Sequence, residues 1–450
     1  MTLLAVRVAL DPTPTQERAL RSHAGGARVA FNWGLARVKA NLSQRAAEKS
    51  YGITGEDLTP FVDWSFYGLR KAWNLAKMNV APWWRQNSKE AYASGLERLA
   101  RALKSWSASR GPKRKGAKVG FPRFRSKHKA RPSIRFTTGA IRADGTTAVL
   151  PRLGRIKLHE DVTNRLLGAR IRSATARFER GRWFVSFTLE QEINRPAPAR
   201  PGAVVGIDLG IKTLAALSTG EQIPNPRRLN KALRKVRRLS RTAARRQGPY
   251  DPAARRRRSP SNRWRRAAAA LGQAQGQVAD KCQDAIHKLT AGLAATYGTV
   301  VLEDLFVAGM VKNRRLARHV ADASFAEIRR QLAYKIGWHG GTLIVADRWF
   351  PSSKTCSGCG AVRAKLTLAE RSYVCDVCGL VMDRDVNAAL NLARYGRNEL
   401  NVAASGAETR NGRGADRKTG LARQVAVKRQ PGTAPAGQTG TVPSQDGTAA

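Results

Sequence analysis

Cys356 and Cys359, and again Cys375 and Cys378, form two matched Cys-x-x-Cys pairs, each followed by a glycine, Gly360 and Gly379. Fifteen residues separate the pairs. Two thiols three positions apart reach one tetrahedral ion from a tight knuckle turn, and a second pair at this distance completes a four-thiolate site. The spacing predicts a zinc ribbon over 352–380, whichever fold surrounds it. Sulfur would fill all four positions and leave none for a reacting water, so this zinc is expected to be structural. A redox pair is the competing reading of one Cys-x-x-Cys; two matched pairs argue against it. The fifth cysteine, Cys282, shares a helical stripe with Val278, Ile286, Leu289 and Leu293 and is expected in the core.

Three acidic residues stand where apolar elements should not hold them. Asp208 lies inside the strand-like run VVGIDLGIKTLAAL, where a charge is unfavourable for propensity and for burial. A divalent cation would compensate it; an Asp at a strand end is the equally good alternative for this motif alone. Gly206 and Gly210 are read as leaving room for a phosphate backbone. Val300–Leu305, VVLEDL, ends a second apolar strand in Glu303 and Asp304. Alternation puts Glu303 on the side of Val301 and Asp304 on the other. In MDRDVNAALNLARY, Asp385 shares a helical face with Ala388, Ala389 and Leu392, and Asp383 suits the N-cap, although the two could exchange roles. Three such carboxylates fit a two-metal site, in which cations about 3.5–4 Å apart activate water and stabilise the leaving oxygen of a phosphodiester. Oxygen ligands favour Mg²⁺, or Mn²⁺ in vitro. The six histidines are scattered and make no HExxH.

The partner class follows from charge. Over 450 residues, 81 Lys and Arg face 32 Asp and Glu, a net charge of +49 on a chain that is 42% hydrophobic. Such a chain folds, and its surface calls for a polyanion; nucleic acid fits better than a small acidic ligand. No polybasic segment flanks an apolar helix, which disfavours a membrane. The first ten residues lack the form of a signal peptide, and no apolar run approaches 18 residues, so a reducing cytoplasmic or nucleoid setting is expected.

Along the chain, Leu3–Leu10 reads as a strand. Pro12 and Pro14 then open a helical region reaching about Trp106, which holds six of the ten tryptophans, expected mainly as core. Arg110–Arg135 is a Pro/Gly-broken basic loop expected to touch phosphate. Strands are expected around Ala148–Leu150, Ile156–Leu158, Ala169–Phe178 and Trp183–Leu189, suggesting a small antiparallel barrel closed by the first strand. The linker Asn194–Gly202 marks a boundary. From Arg227 to Arg266 there are 17 basic residues and one acid, read as a basic amphipathic helix, followed by a second helix over roughly Ala267–Thr296. From Gly396 onward the composition predicts a disordered tail.

Together GIDLGIKTLA, VVLEDL, PSSKTCSGCG, CDVCG and DRDVNAALNLAR, with the N-terminal LDPTPTQERALRSHAGGARVAFNWGLA and GFPRFRSKHKARPSIRF, resemble the TnpB family of insertion-sequence proteins, relatives of type V CRISPR effector nucleases. The resemblance covers roughly residues 1–395. It implies an α+β multidomain chain: a wedge-type antiparallel β-barrel (1–12 and 111–195), a helical recognition insert (13–110), and an RNase H-like (RuvC) α/β domain (203–351 and 381–395, with a basic helical insert at 225–296). The zinc ribbon (352–380) lies within that domain, and the tail spans 396–450. It implies catalytic acids Asp208, Glu303 and Asp385 holding Mg²⁺, with Cys356, Cys359, Cys375 and Cys378 on Zn²⁺. It also implies a guide RNA from the transposon end and cleavage of target double-stranded DNA. Three rivals stand beside it: an RNA-guided repressor that does not cut, a strand-transfer transposase, and a zinc-ribbon transcription factor.

Overall fold

The computed structural model describes residues 2–111, 116–127, 130–192, 195–253, 256–257, 260–367 and 369–404, with two short paired strands, Arg413–Gly414 and Val427–Lys428. Two units emerge, Met1–Ile193 with Leu239–Gly276, and Asn194–Arg238 with Gln277–Ala450.

In the first unit the elements are β1 (Thr2–Asp11), α1 (Pro14–Ser50), α2 (Phe66–Val80), α3 (Lys89–Ala108), β2 (Ser133–Phe136), β3 (Arg142–Asp144), β4 (Thr147–Leu150), β5 (Gly154–Leu158), β6 (Arg170–Glu179) and β7 (Arg182–Gln191). Strand β1 is long enough to serve two partners. Thr2–Ala9 pairs antiparallel with β7, and Leu10 and Asp11 pair with β5, giving the order β2-β6-β7-β1-β5-β4-β3. Val6, Val8 and Leu10 point inward with Phe136, Ile156, Trp183 and Phe187, as period-two alternation requires. Thr13 starts α1 through a capping box with Gln16. The helix then runs 37 residues without a break. Gly95 of α3 lets that helix approach α1 closely, because a Cβ there would sit 2.0 Å from the Ala27 carbonyl oxygen. Trp33, Trp64, Trp73, Trp83 and Trp84 pack into one cluster with Tyr92, and Trp106 stands edge-on to Trp64 and Phe121. Trp73 is buried and the other five are half-buried, so these tryptophans serve mainly in packing, as expected.

In the second unit the elements are β8 (Arg200–Asp208), β9 (Thr213–Leu217), β10 (Gln222–Pro224), α4 (Arg228–Arg245), α5 (Asn262–Thr296), β11 (Tyr297–Glu303), α6 (Phe325–Trp338), β12 (Thr342–Ala346), β13 (Ser372–Val374), β14 (Val381–Asp383) and α7 (Arg384–Ala404), of which α4 and α5 extend past the unit boundaries. The sheet order is β10-β9-β8-β11-β12; β8, β11 and β12 are parallel and β9 and β10 antiparallel. Parallel central strands covered on both faces read as continuous apolar runs, which is why VVGI and VVL carry no alternation.

Four expectations are corrected here. Strand β8 begins at Arg200, inside the expected linker, because Arg200 already pairs with Tyr297. The basic tract is not one helix: α4 stops at Arg245 ahead of Gly248-Pro249, a two-residue pairing follows, and α5 starts at Asn262, where the Ser261 hydroxyl accepts from Trp264 N at 3.1 Å. Cys282 is half-buried, with its thiol 3.7 Å from Asp322 Oδ1, instead of in the core. The expected tail from Gly396 is helical to Ala404, since Gly396 lies against Val204 and Val301 and Tyr395 packs on Phe350. Apart from the two short strands, the rest of the 396–450 tail lies outside the described residues.

Candidate active site

Helix α7 lies against the sheet through small residues. A Cβ on Gly206 would stand 2.0 Å from Ala389 O and 2.5 Å from Ala393 N, and one on Gly396 would stand 2.4 Å from Val301 Cγ2. Later residues of α7 thus face earlier residues of β8, so the helix runs antiparallel to the strand. One turn before Ala389 comes Asp385, and two residues after Gly206 on the same face comes Asp208. On the neighbouring strand, Leu302 is level with Ile207, and Glu303 shares the helix-facing side with Val301. Fold and pattern therefore bring Asp208, Glu303 and Asp385 to one end of the parallel strands, on the side covered by α7. Gly206 is corrected by the same observation: its missing side chain admits α7, not a phosphate backbone. At Gly210 a Cβ would meet Thr213 O at 2.7 Å, so it serves the turn into β9.

Electrostatics mark the site as short of positive charge. Burial, then the negative charges of Glu303 and Asp385, push the Asp208 carboxyl up to about 7. Burial also raises Glu303, although the Ser352 hydroxyl donates to its Oε1. Asp304 faces elsewhere. Against the cost of partial burial, Arg329 and Arg348 bind it and hold it below the ordinary carboxylate range. Asp383 accepts from Asp385 N at 2.9 Å and Val386 N at 3.1 Å and so caps α7. Asp385 Oδ1 lies 3.2 Å from Arg384 Nη2. The three acids do not converge on a single-ion spacing: among the described residues only the four cysteines bring three or more ligand atoms within 4.8 Å of one another.

That cysteine cluster is closely built. Cys356 Sγ lies 3.6 Å from Cys378 Sγ, and Cys359 Sγ 3.6 Å from Cys375 Sγ. Four sulfurs at about 2.3 Å around one ion stand about 3.8 Å apart. The two knuckles repeat each other. Gly360 N donates to Cys356 O and Gly379 N to Cys375 O, each at 3.0 Å, with both glycines at positive φ, where other residues are strained. Backbone amides of Cys378 and Val377 pull the Cys375 thiol down to about 6.

Two asparagines tie this cluster to the acids. Asn387 Nδ2 donates to Thr355 O at 2.7 Å, and its Oδ1 accepts from Ser357 N at 2.9 Å. Asn391 Nδ2 donates to Ser352 O at 2.9 Å and Thr355 O at 2.6 Å. The sequence reading did not single out Ser352, Asn387 or Asn391. Its available signal was a pair of asparagines four apart on an otherwise apolar helix face, a pattern that calls for buried partners.

Known proteins bear on these motifs. Residues 325–392 match the family described as "Cas12f1-like, TNB domain", and residues 185–314 match "Probable transposase". Residues 1–46 match "Helix-turn-helix domain"; here they form β1 and most of the unbroken α1. A Mycobacterium tuberculosis protein named "Putative RNA-guided DNA endonuclease" is 37% identical over 442 residues, spanning 92% of this chain and 91% of that protein. The chain belongs to the TnpB family. Another relative, Escherichia coli InsQ, carries the same description and is 26% identical over 88% of this chain and 92% of its own length. Among solved structures, the Cas12f1–sgRNA–target DNA complex aligns over 87% of this TnpB-family chain and 98% of its own, at 12% identity and a TM-score of 0.45. That likeness is too loose to carry an argument.

Proposed function

We propose that this TnpB-family chain is an RNA-guided DNA endonuclease whose hydrolytic site is Asp208, Glu303 and Asp385. The observation that carries the proposal is the gathering of three acids from three separate motifs at one end of the parallel strands, where the two on the strands are driven toward protonation by burial and Asp208 also by the other acids. A divalent cation would relieve the burial and mutual repulsion acting on the two strand acids, so the donor set fits Mg²⁺. A pair of ions spans a wider donor set than one ion, consistent with acids that do not close on a single centre. When bound, the ions supply an activated water and charge stabilisation at the leaving oxygen. The protein's own share is positioning: strands β8 and β11 fix Asp208 and Glu303, Ser352 orients Glu303, and the capped first turn of α7 presents Asp385.

In the same reading the four thiolates hold structural zinc. The five-stranded mixed sheet with α7 is the RuvC-type domain, expected at 203–351 and 381–395 and extended by its elements to 200 and 404, and the ribbon is 352–380. The seven-stranded sheet stands in for the wedge-type barrel at 1–12 and 111–195, although among the described residues its end strands β2 and β3 do not pair, with the helices of 13–110 as recognition insert. The partners are a guide RNA from the transposon end and target double-stranded DNA; the net charge of +49 and the named relatives support both.

The test is cleavage of a guide-matched plasmid in Mg²⁺ by the purified RNA–protein particle, beside Asp208→Ala. Cutting by the wild type alone supports the proposal. Equal binding without cutting by either protein leaves the non-cutting repressor, and cutting that persists after the RNA is digested leaves the strand-transfer enzyme.

A further inference from the structure

One basic cavity has no part in the site above. It lies in the first unit, where the chain after α3 folds back across α1 and α3. It encloses about 200 Å³ lined by Arg21, Arg28, Arg98, Arg125, Lys127 and Arg131, and opens into a cleft of about 530 Å³ that adds Arg177. Among the described residues no acidic side chain lines either space. Arg21 and Arg177 are partly neutralised by Glu17 and Glu179. Among the described residues, Arg28, Arg98, Arg125 and Arg131 have no carboxylate within ion-pair distance.

The two inner arginines are fixed before any ligand arrives. Arg98 donates from Nε to Ser94 O at 3.0 Å and from Nη2 to Ser133 O at 2.8 Å. Arg125 is held at its backbone by Asn32, which accepts from its N at 2.8 Å and donates to its O at 3.1 Å, and its guanidinium lies 4.1 Å from the Phe31 ring centroid. Burial, then the charge of Arg125, lowers Arg98 to about 10, still protonated at neutral pH. A half-buried guanidinium crowded by like charge is compensated by an anion that accepts from several N–H groups at once, and a phosphate does this with bidentate geometry. Loosely placed surface charge would bind phosphate too, but it would not be pinned by backbone carbonyls, a hydroxyl and an aromatic face.

We infer that this cavity is a dedicated phosphate site, which seats a backbone phosphodiester of bound nucleic acid between Arg98 and Arg125, with Arg28 and Arg131 at its mouth. The inference rests on the nucleic-acid reading for its ligand, not on cleavage. RNA and DNA present the same group, so the experiment separates them.

Full-length protein freed of RNA is titrated without Mg²⁺ against a labelled single-stranded RNA and a labelled DNA duplex over a series of KCl concentrations. Arg28→Gln/Arg131→Gln is compared with Arg142→Gln/Arg155→Gln, which removes the same charge from exposed positions outside the cavity. The cavity pair is expected to weaken binding by about tenfold and to flatten the slope of log K against log salt by about 0.7 for RNA or 0.9 for duplex, one phosphate contact. The control pair should change either much less. A loss confined to RNA or to duplex names the source. Equal losses from both pairs, or none from either, overturn the site and leave diffuse surface charge. Should the Gln pair unfold, Arg28→Lys/Arg131→Lys keeps the charge and removes the fork, and unchanged binding by that pair overturns the site equally. Wild type that binds neither probe overturns the nucleic-acid reading itself.

Discussion

Replacing Gly206 by alanine tests how the acids are aligned without touching any of them. The new Cβ would lie 2.0 Å from a backbone oxygen of α7, while contacts below 3.0 Å essentially do not occur, so helix and strand must part by about 1 Å. Because the obstacle is backbone, no side chain can turn aside. Overpacking of this kind costs about 1–3 kcal/mol, which for a unit of this size lowers the melting temperature by roughly 2–4 °C per kcal/mol. A 1 Å displacement of positioned groups can cost about 100-fold in rate. Gly206→Ala should therefore melt several degrees early and cut a matched plasmid about 100-fold more slowly, with RNA binding retained. Gly202→Ala, in the exposed first residues of the same strand, meets nothing within 4 Å and should change neither. Wild-type cutting and melting by Gly206→Ala would refute the claim that helix contact sets the site.

Other outcomes follow from the same geometry. Asp208 titrates near 7 when folded and near 3.8 when unfolded, so between these values the folded state holds the extra proton. Metal-free protein should accordingly lose stability as pH rises from about 4 to 7, by on the order of 2–4 kcal/mol after discount for water at the site; thermal melts of Asp208→Asn across this range should lack that component. Asp385→Asn should abolish cutting while electrophoretic shift assays show unaltered RNA binding. Asn391→Ala removes two donated hydrogen bonds to buried carbonyls and should destabilise the protein by about 2–4 kcal/mol in chemical unfolding. For Cys359→Ser, metal analysis of the purified protein should fall from about one zinc per chain toward none, with a lower melting temperature.

Much of this was legible in the chain itself, for physical reasons that differ by motif. The knuckles were plain because four thiols and two positive-φ glycines admit few other uses. Glu303 and Asp304 could be told apart by strand alternation alone, and Arg329 and Arg348 now account for the second acid. Gly206 misled: sequence shows that space is needed beside Asp208 but not what fills it, and the filler comes from nearly two hundred residues later. Asn387, Asn391 and Ser352 were hidden because their meaning lies in partners brought close by the ribbon. The basic tract looked like one helix because its charge is continuous, whereas Gly248-Pro249 sets the conformation.

The asparagine ladder on α7 grips the loop carrying the first zinc knuckle, and that loop in turn supplies the hydroxyl on Glu303. Sulfur chemistry at the periphery is thereby wired into acid geometry at the centre. Under the function proposed above, loss of an ion from the knuckles should therefore loosen the Ser352 grip on Glu303 and slow cutting more than it weakens nucleic-acid binding.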